Sequence, residues 1–169
     1  VPTAPLNILR TLRENGHEAF LVGGGVRDLL LGREPKDWDI ATDALPDRIE
    51  ALFPKTIPLG KAFGIIVVVP AEGAPVEVAT YRVDSPYADG RRPESVAFTG
   101  AREDALRRDF TVNALLLDPT TGAIRDDVGG RADLDARLIR AIGEPAVRFA
   151  EDHLRMLRAI RCAATLGFA

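Results

Sequence analysis

The sequence has 169 residues, of which 46% are apolar and 28% charged, so a packed core is expected and a disordered chain is excluded. The formal net charge of -3 argues against a protein that coats nucleic acid, although it allows local basic patches. The single cysteine excludes a disulfide framework and favours a cytoplasmic location, and no apolar run is long enough to cross a membrane.

The first part of the sequence is predicted to alternate helices with short strands. "LNILRTLREN" has the apolar spacing of a helix, and Gly16 follows it as a stop. Short apolar runs between turn residues predict strands at "EAFLV", "WDIAT", "GIIVVV" and "VEVATYR". Helices are predicted at "VRDLLLG" and "LPDRIEALF", where Pro46 lies near the first position and its missing N–H does no harm.

The second part of the sequence begins with a loop-like segment at 83–100 that contains "SPYADGRRPES". "EDALRRDFTVNALLLD" is helical at first and then apolar, and "DDVGGRADLDARLIRAIG" is typical of a loop, a short helix and a strand. From Pro145 the pattern is helical throughout. The change in composition near residue 143 predicts a boundary between a part of strands and helices at 1–143 and a helical part at 144–169.

Two carboxylates occupy the predicted strand "KDWDIAT". Residues i and i+2 of a strand share a face, so Asp37 and Asp39 point the same way with Cα atoms about 6.5–7 Å apart, while Trp38 and Ile40 face the core. Asp is a poor strand residue and two like charges on one face repel each other. A bound cation is the simplest feature that would offset this cost.

A third carboxylate lies in the predicted strand "PVEVATYR". Val76 and Val78 share one face of that strand and Glu77 shows the other. If the two strands are neighbours, three oxygen donors come together, which suits Mg²⁺ bound with substrate phosphates and water. The alternative is that Glu77 simply faces solvent.

A glycine-rich turn precedes these carboxylates in "LVGGGVRD". Glycines let backbone N–H groups approach an anion, and Arg27 could reach a phosphate with its planar guanidinium group. The alternative is a tight turn with Arg27 on the surface. Because the acidic pair follows within a dozen residues, the combination favours a nucleoside triphosphate bound with magnesium.

Five blocks of the sequence together resemble a known family. They are "LVGGGVRDLLLGREPKDWDIAT", "DGRRP", "RRDFTVNAL", "DDVGGRADL" and "EDHLRMLRAIRCAATLGF". In this order they resemble the class II nucleotidyltransferases of the polymerase β superfamily, which include the CCA-adding enzymes and the bacterial poly(A) polymerases. The resemblance implies an α/β (α+β) fold: a mixed, largely antiparallel sheet flanked by helices, followed by a helical neck.

The resemblance also implies roles for the residues already singled out. Asp37 and Asp39 would bind the catalytic Mg²⁺ ions, and Glu77 would be the third carboxylate of the catalytic set. Gly24 and Arg27 would hold the triphosphate of the incoming nucleotide.

Further nucleotide-binding residues follow from the later blocks. In "RRDFTVN", Arg108 would contact the incoming nucleotide, with Asp109 and Asn113 lining the same pocket. In "EDHLRMLRAIR", Arg158 and Arg161 would support the triphosphate or the pocket.

The resemblance assigns Asp152 and Arg155 to the Watson–Crick edge of the incoming base. A carboxylate accepts from an exocyclic amino group and an arginine donates to ring nitrogens or carbonyls. In a continuous helix the two residues lie side by side at i and i+3. The alternative, taken without the family, is an ordinary salt bridge on a solvated helix.

The implied reaction is attack of an RNA 3′-hydroxyl on the α-phosphate of CTP or ATP, which adds CCA to tRNA. "IPLGKAFGIIVVV" lacks the basic block of the poly(A) polymerases, and "DGRRPES" resembles the flexible loop of enzymes that add the whole CCA. CC-only, A-only and poly(A) addition remain alternatives, as does a nucleotide-binding module without useful catalysis. The expected partners are the tRNA 3′ end, CTP and ATP, with no membrane; the sequence leaves the oligomeric state open.

Overall fold

A computed structural model describes residues 1–85 and 94–169 of the chain. The predicted loop block "DGRRP", residues Asp89–Pro93, lies outside the described residues. The helices are α1 (Thr3–Glu14), α2 (Gly24–Leu30), α3 (Pro46–Leu52), α4 (Ala101–Arg107), α5 (Gly130–Asp135), α6 (Pro145–Glu151) and α7 (Leu154–Leu166). Short 3₁₀ turns are present at Lys61–Phe63 and Thr111–Asn113.

The strands are β1 (Ala19–Val22), β2 (Asp39–Thr42), β3 (Thr56–Gly60), β4 (Ile65–Val68), β5 (Val76–Thr80), β6 (Arg82–Asp84), β7 (Val96–Phe98), β8 (Leu116–Leu117) and β9 (Ile124–Arg125). In the described parts of the chain, seven of them form one sheet in the order β3-β4-β5-β2-β1-β8-β9. Among the described strand pairs β2 and β5 are parallel, and the others are antiparallel. The predicted mixed, largely antiparallel sheet flanked by helices is confirmed.

The sheet has one buried face and one face that is left partly open. Ile40, Val78 and Ile66 follow each other across β2, β5 and β4 and are fully buried. They belong to the main core, which also contains apolar residues of α1 and α3 such as Leu12 and Ile49. Because side chains alternate along a strand, the neighbouring residues of β2, β5 and β4 face the other side, where a cavity lies.

The structure differs from the predicted secondary structure at several places before residue 145. The segment at 83–100 is not all loop, because β6 and β7 pair as a second, two-stranded sheet at its ends. "TIPLG" forms the edge strand β3, which the sequence pattern did not predict. The expected strand before 143 is reduced to a single bridge between Phe110 and Ala141.

The C-terminal helical segment is broken rather than continuous. The segment α6 ends at Glu151, and Asp152 adopts an extended conformation with φ of -139° and ψ of 102°. The side-chain oxygen Oδ1 of Asp152 accepts a hydrogen bond of 3.0 Å from the N–H of Leu154, the first residue of α7. Short polar side chains that bind nearby backbone N–H groups compete with a continuing helix in this way.

The end of α7 is anchored in the main core. Leu166 and Phe168 are buried members of the main core. Arg33 donates hydrogen bonds of 3.2 and 3.1 Å to the carbonyls of Thr165 and Leu166. Arginine favours this position because the last carbonyls of a helix lack partners within the helix.

Within the described residues, no helix is long and apolar enough to span a membrane.

Candidate active site

A cavity of about 800 Å³ opens on the partly exposed face of the sheet. It collects side chains that are far apart in the sequence, as a binding site does. The predicted site residues that line it are Gly24, Arg27, Asp37, Asp39, Arg108, Asp109, Asn113, Asp152, Arg155, Arg158 and Arg161. Sequence reasoning did not select the remaining lining residues: Gly23, Leu59, Gly60, Phe63, Ile65, Arg82, Asp84 and Arg107.

Two of the three predicted carboxylates line the cavity. Asp39 begins β2, whereas Asp37 precedes the strand, so the prediction that both lie within one strand was wrong. They nevertheless reach the same cavity, and Trp38 and Ile40 are buried on the other side as expected. The alternation of cavity-facing and buried side chains therefore begins at Asp37, two residues before the strand.

Glu77 is the direct neighbour of Asp39 on the adjacent strand. The two residues are paired in the parallel register of β2 and β5, so their side chains leave the same face of the sheet. Glu77 is not among the described residues that line the cavity. The sequence could predict the face of Glu77 but not the pairing, which depends on a contact between distant segments.

Burial, together with neighbouring acidic groups, raises the pKa of Asp39 to about 6. Burial is the largest cause, and the charges of Glu77 and Asp37 add to it, while Arg108 opposes them. Burial likewise raises the pKa of Glu77, and Arg82 opposes the shift. This pattern shows negative charge brought together at a cost, as required by a site that is completed by a cation.

The donor set fits a hard divalent cation that keeps other ligands. Among the described residues, no group of three or more His, Cys, Asp or Glu side chains is arranged to hold a metal ion by itself. Magnesium, however, binds through one or two carboxylates together with phosphate oxygens and water. Asp37 and Asp39 would supply the protein part of such a set.

The glycine-rich turn packs closely against Asp37 and Asp39 because its glycines lack side chains. At Gly23, where φ is 82°, an added Cβ would lie 3.0 Å from Oδ2 of Asp39. At Gly25 an added Cβ would lie 2.6 Å from the main-chain oxygen of Asp37 and 3.2 Å from the ring of Trp38. Gly23 requires glycine because its φ is positive and because a Cβ would crowd the carboxylate of Asp39. Gly25 requires glycine because a Cβ would collide with the backbone of Asp37.

Arg27 is held in the cavity by two partners. Its Nε and Nη2 donate hydrogen bonds of 2.9 and 2.8 Å to Oδ1 of Asp28, and its Nη1 donates one of 2.8 Å to Oδ1 of Asn113. Arg27 is therefore a positioned cation and not a surface side chain. Asp28 was not selected from the sequence, although it directly follows Arg27 in "VRD".

Arg107 and Arg108 are fixed by one buried carboxylate. Asp104 is only 1% exposed, and its Oδ1 accepts from Nη2 and Nε of Arg107 at 2.6 and 3.0 Å. Its Oδ2 accepts from Nη2 and Nε of Arg108 at 2.8 and 3.1 Å. Burial by itself raises the pKa of Asp104, but the charges and hydrogen bonds of Arg108 and Arg107 outweigh it and lower the pKa.

An ion pair joins α7 to the segment that follows α4. Nη2 of Arg158 lies 2.6 Å from Oδ2 of Asp109, and Oδ1 of Asp109 accepts 2.8 Å from the N–H of Phe110. Oδ1 is also 3.5 Å from Nδ2 of Asn113. The aspartate thus links the two segments that supply most of the predicted nucleotide-binding residues.

Asp152 and Arg155 both line the cavity, but they are not side by side on one helix. The break between α6 and α7 lies at Asp152, so the prediction that one helix carries both residues was wrong. Arg155 is 5% exposed and donates hydrogen bonds of 3.0 Å to Oε2 of Glu151 and to the carbonyl of Arg148. The position of the Arg155 side chain is therefore determined by contacts at the junction between α6 and α7.

Comparisons with known proteins identify the family of this chain. The model of the poly(A) polymerase head domain family matches residues 19–140. A CCA-adding enzyme from Bacillus pumilus is 52% identical over 167 residues, which are 98% of this chain and 41% of that protein.

Two solved structures are similar over nearly the whole chain. The CCA-adding enzyme of Bacillus stearothermophilus in complex with CTP has a TM-score of 0.88 and 47% identity, and the match covers 98% of this chain and 39% of that one. The CCA-adding enzyme of Thermotoga maritima complexed with tRNA-CCA has a TM-score of 0.76 and 29% identity, with 100% and 40% covered. The chain thus spans about two fifths of the length of these relatives.

Proposed function

The chain belongs to the poly(A) polymerase head domain family, and from this premise we propose that it is the catalytic part of a CCA-adding tRNA nucleotidyltransferase. The observation that carries the proposal is one cavity that contains the acidic residues of β2, the glycine turn and arginines from α2, α4 and α7. Similarity to enzymes solved with CTP and with tRNA supports the choice of substrates.

The proposed reaction is nucleotidyl transfer to the 3′ end of tRNA. The oxygen of the terminal 3′-hydroxyl forms a bond to the α-phosphorus of CTP or ATP. The bond between that phosphorus and the oxygen that bridges to the β-phosphate breaks, and its electron pair leaves with pyrophosphate. The hydroxyl proton passes to solvent, and the RNA is one nucleotide longer.

The phosphate groups would lie against the arginines. Arg27 is held by Asp28 and Asn113, so it can contact a phosphate without a large loss of side-chain entropy. Arg158 and Arg161 line the same cavity from α7. Arginines fixed in this way stabilise charge as it develops on the leaving pyrophosphate.

The sugar and the base would contact two other groups of residues. Arg108, Asp109 and Asn113 line the cavity from the end of α4 and the turn that follows, and they are proposed to hold the incoming nucleotide. Asp152 and Arg155 are proposed to read the edge of the incoming base. A carboxylate and an arginine match the amino group and the acceptors of cytosine and adenine.

We propose Mg²⁺ as the metal, held by Asp37 and Asp39, with Glu77 as the third member of the acidic set. When bound, such an ion supplies Lewis-acid activation of the hydroxyl and neutralises phosphate charge. The raised pKa of Asp39, caused by burial and by neighbouring carboxylates, supports the proposal because a cation would relieve that repulsion.

The proposal includes a division of the chain and a location. Residues 1–143 would form the nucleotidyltransferase head and residues 144–169 would begin a helical neck. The change from strands to α6 and α7 at Pro145 supports this boundary. A cytoplasmic location fits a tRNA-processing role.

The experiment is incorporation of labelled CTP and ATP into tRNA that lacks its CCA end, in the presence of magnesium, followed by sequencing of the product. Addition of CCA supports the proposal, and CC alone, A alone or long A-runs would instead identify the alternative enzymes. Nucleotide binding without incorporation would leave a binding module and contradict the proposed activity.

Asp39→Asn is expected to abolish incorporation. Asp43→Asn is the matched control, because Asp43 follows the same strand and binds the N–H of Glu18 at 2.9 Å but is not among the residues lining the cavity. Equal activity in the two variants would contradict the role of Asp39.

A further inference from the structure

The cavity has an apolar wall that the proposed roles leave unused. Leu59 at the end of β3, Phe63 in the 3₁₀ turn and Ile65 at the start of β4 form this wall, which we name the apolar shelf. Leu59 is 70% exposed, and together with Phe63 and Ile65 it forms an apolar part of a cavity that is otherwise lined mostly by charged side chains and glycines. Such a surface suits a flat ligand with an apolar face.

The apolar shelf is built into the fold. Lys61 at its centre forms an ion pair of 2.7 Å with Asp47 of α3. Arg82 donates a hydrogen bond to the carbonyl of Phe63, and its guanidinium group lies over the Phe63 ring, 5.9 Å from the centroid. The turn is thus fixed to α3 on one side and to β6 on the other.

Gly64 closes the turn in a conformation that other residues rarely adopt. Its φ is 78°, and an added Cβ would lie 3.0 Å from the ring of Phe98 and 3.3 Å from Cβ of Thr80. The chain therefore passes close to Phe98 of β7 between Phe63 and Ile65, and this passage constrains the direction in which these two residues project.

The register of the sheet places the shelf relative to the carboxylates. Asp39 pairs with Glu77 and Glu77 pairs with Val67, so β4 lies two strands from β2, or about 10 Å. Ile65 is two residues from Val67 and shares its face. The carboxylates and the shelf therefore lie on one face of the sheet, with the shelf toward the β3 edge.

Three of the arginines that line the cavity, Arg27, Arg158 and Arg161, lie on the other side of the carboxylates, whereas Arg82 lies beside the apolar shelf. The helix α2 follows β1, and Arg27 binds Asn113, which precedes β8. In the sheet order, β1 and β8 lie on the side of β2 opposite to β5, β4 and β3. Arg158 and Arg161 of α7 line a smaller cavity of about 140 Å³ together with Arg27 and Asn113.

This arrangement sets the direction of the reaction. In nucleotidyl transfer the attacking and leaving oxygens lie in line on opposite sides of the phosphorus. If the pyrophosphate leaves toward the arginines on the β1 side, the attacking hydroxyl enters from the side of β4. The RNA end that carries this hydroxyl then meets the apolar shelf.

We propose that the apolar shelf binds the base of the terminal nucleotide of the acceptor RNA by stacking and apolar contact. The inference rests on the proposed function and extends it to the acceptor. The terminal base changes as CCA is added, so a surface that contacts the face of any base suits it better than hydrogen bonds to one base edge.

The test is steady-state incorporation of CMP into tRNA lacking CCA, with Leu59→Ser and Phe63→Ala. The KM for tRNA should rise about tenfold in each variant while the KM for CTP stays unchanged. Ile57→Ser is the matched control, because Ile57 is 49% exposed on the same strand but is not among the residues lining the cavity. The Leu59 variant is expected to fold because its side chain is mostly exposed.

A second acceptor separates stacking from other effects. With the unaltered chain, removing the base of the last nucleotide of the tRNA should raise the KM for tRNA by about the same factor as the substitution does. In the Leu59 variant, removing that base should raise the KM for tRNA little further. A rise in the KM for CTP, or Leu59→Ser and Ile57→Ser behaving alike, would overturn the inference. Absence of incorporation by the unaltered chain would overturn the proposed function, and the inference with it.

Discussion

The side chain of Arg148 donates a hydrogen bond of 3.1 Å to the main-chain carbonyl of Arg108, just after the end of α4. The same Nη2 also donates to the carbonyl of Arg107, and Nη1 donates 2.6 Å to Oε2 of Glu151. Because Glu151 also accepts from Arg155, one guanidinium group connects the backbone at Arg108 to the predicted base-reading arginine. The carbonyls at a helix end are otherwise without partners in the helix.

We expect Arg148→Lys to weaken CTP and ATP binding about tenfold, because lysine cannot donate to two carbonyls and a carboxylate at fixed angles. The measurement is isothermal titration calorimetry with each nucleotide. Arg131→Lys is the control, since Arg131 pairs only loosely with Asp135, at 3.6 Å. Affinities that match in the two variants would show that Arg148 does not position the site.

Asp104→Asn is expected to lower the free energy of unfolding by about 3 kcal/mol, because the substitution leaves Arg107 and Arg108 beside a neutral partner in a buried setting. Urea denaturation measures the change. Asp135→Asn makes the same substitution in an exposed i,i+4 pair and should cost less than about 0.5 kcal/mol. A loss for Asp104→Asn no larger than the loss for this control would contradict the stabilising role of the buried carboxylate.

The lowered pKa of Asp104 also predicts how stability depends on pH. Arg107, Arg108 and Tyr81 face the carboxyl group, and the two arginines keep it ionised in the folded chain. Since the pKa is lower in the folded than in the unfolded state, its contribution is present above about pH 4 and is lost as the pH falls toward the folded value.

The measurement is the midpoint of urea unfolding between pH 7 and pH 3. The unaltered chain should lose stability on acidification more steeply than Asp104→Asn, which lacks the titrating group. Parallel pH profiles for the two chains would show that the carboxyl group titrates alike in both states.

Gly25→Ala is expected to destabilise the chain by about 1–3 kcal/mol, because the new methyl group would collide with the main-chain oxygen of Asp37. Thermal unfolding measures this effect. Gly24→Ala is the matched control for stability, since its Cβ would meet only the guanidinium group of Arg27, at ordinary distances of 3.5 and 3.9 Å. If Gly25→Ala unfolds at as high a temperature as Gly24→Ala, the backbone of the turn can shift to accommodate the methyl group, which contradicts the prediction.

Local pattern was sufficient to predict the residues that one short segment brings together. The glycine turn, Arg27 and the acidic pair at 37 and 39 lie within 17 positions, and alternation along a strand fixes their common side. The same alternation predicted the face of Glu77, while its pairing with Asp39 rested on an assumed strand order that the structure confirms.

Several features depend on contacts that the local sequence pattern does not predict. The helix at Asp152 breaks because a side chain accepts from the N–H of Leu154, which periodicity does not reveal. Asp104 and Arg148 had no motif of their own, since their partners are two neighbouring arginines and the carbonyls of a distant helix end. The strand β3 was missed because its exposed apolar residues do not alternate with polar ones.

The burial of Leu166 and Phe168 in the main core has a consequence for how the chain can be divided. These two residues lie after the change in composition near residue 143, but they belong to the same core as residues that lie before it. A protease cut or a stop codon at that point would leave a hole where two large apolar groups had been. Residues on both sides of the predicted boundary therefore contribute to one core, and we expect the part before it to lose stability when the part after it is removed.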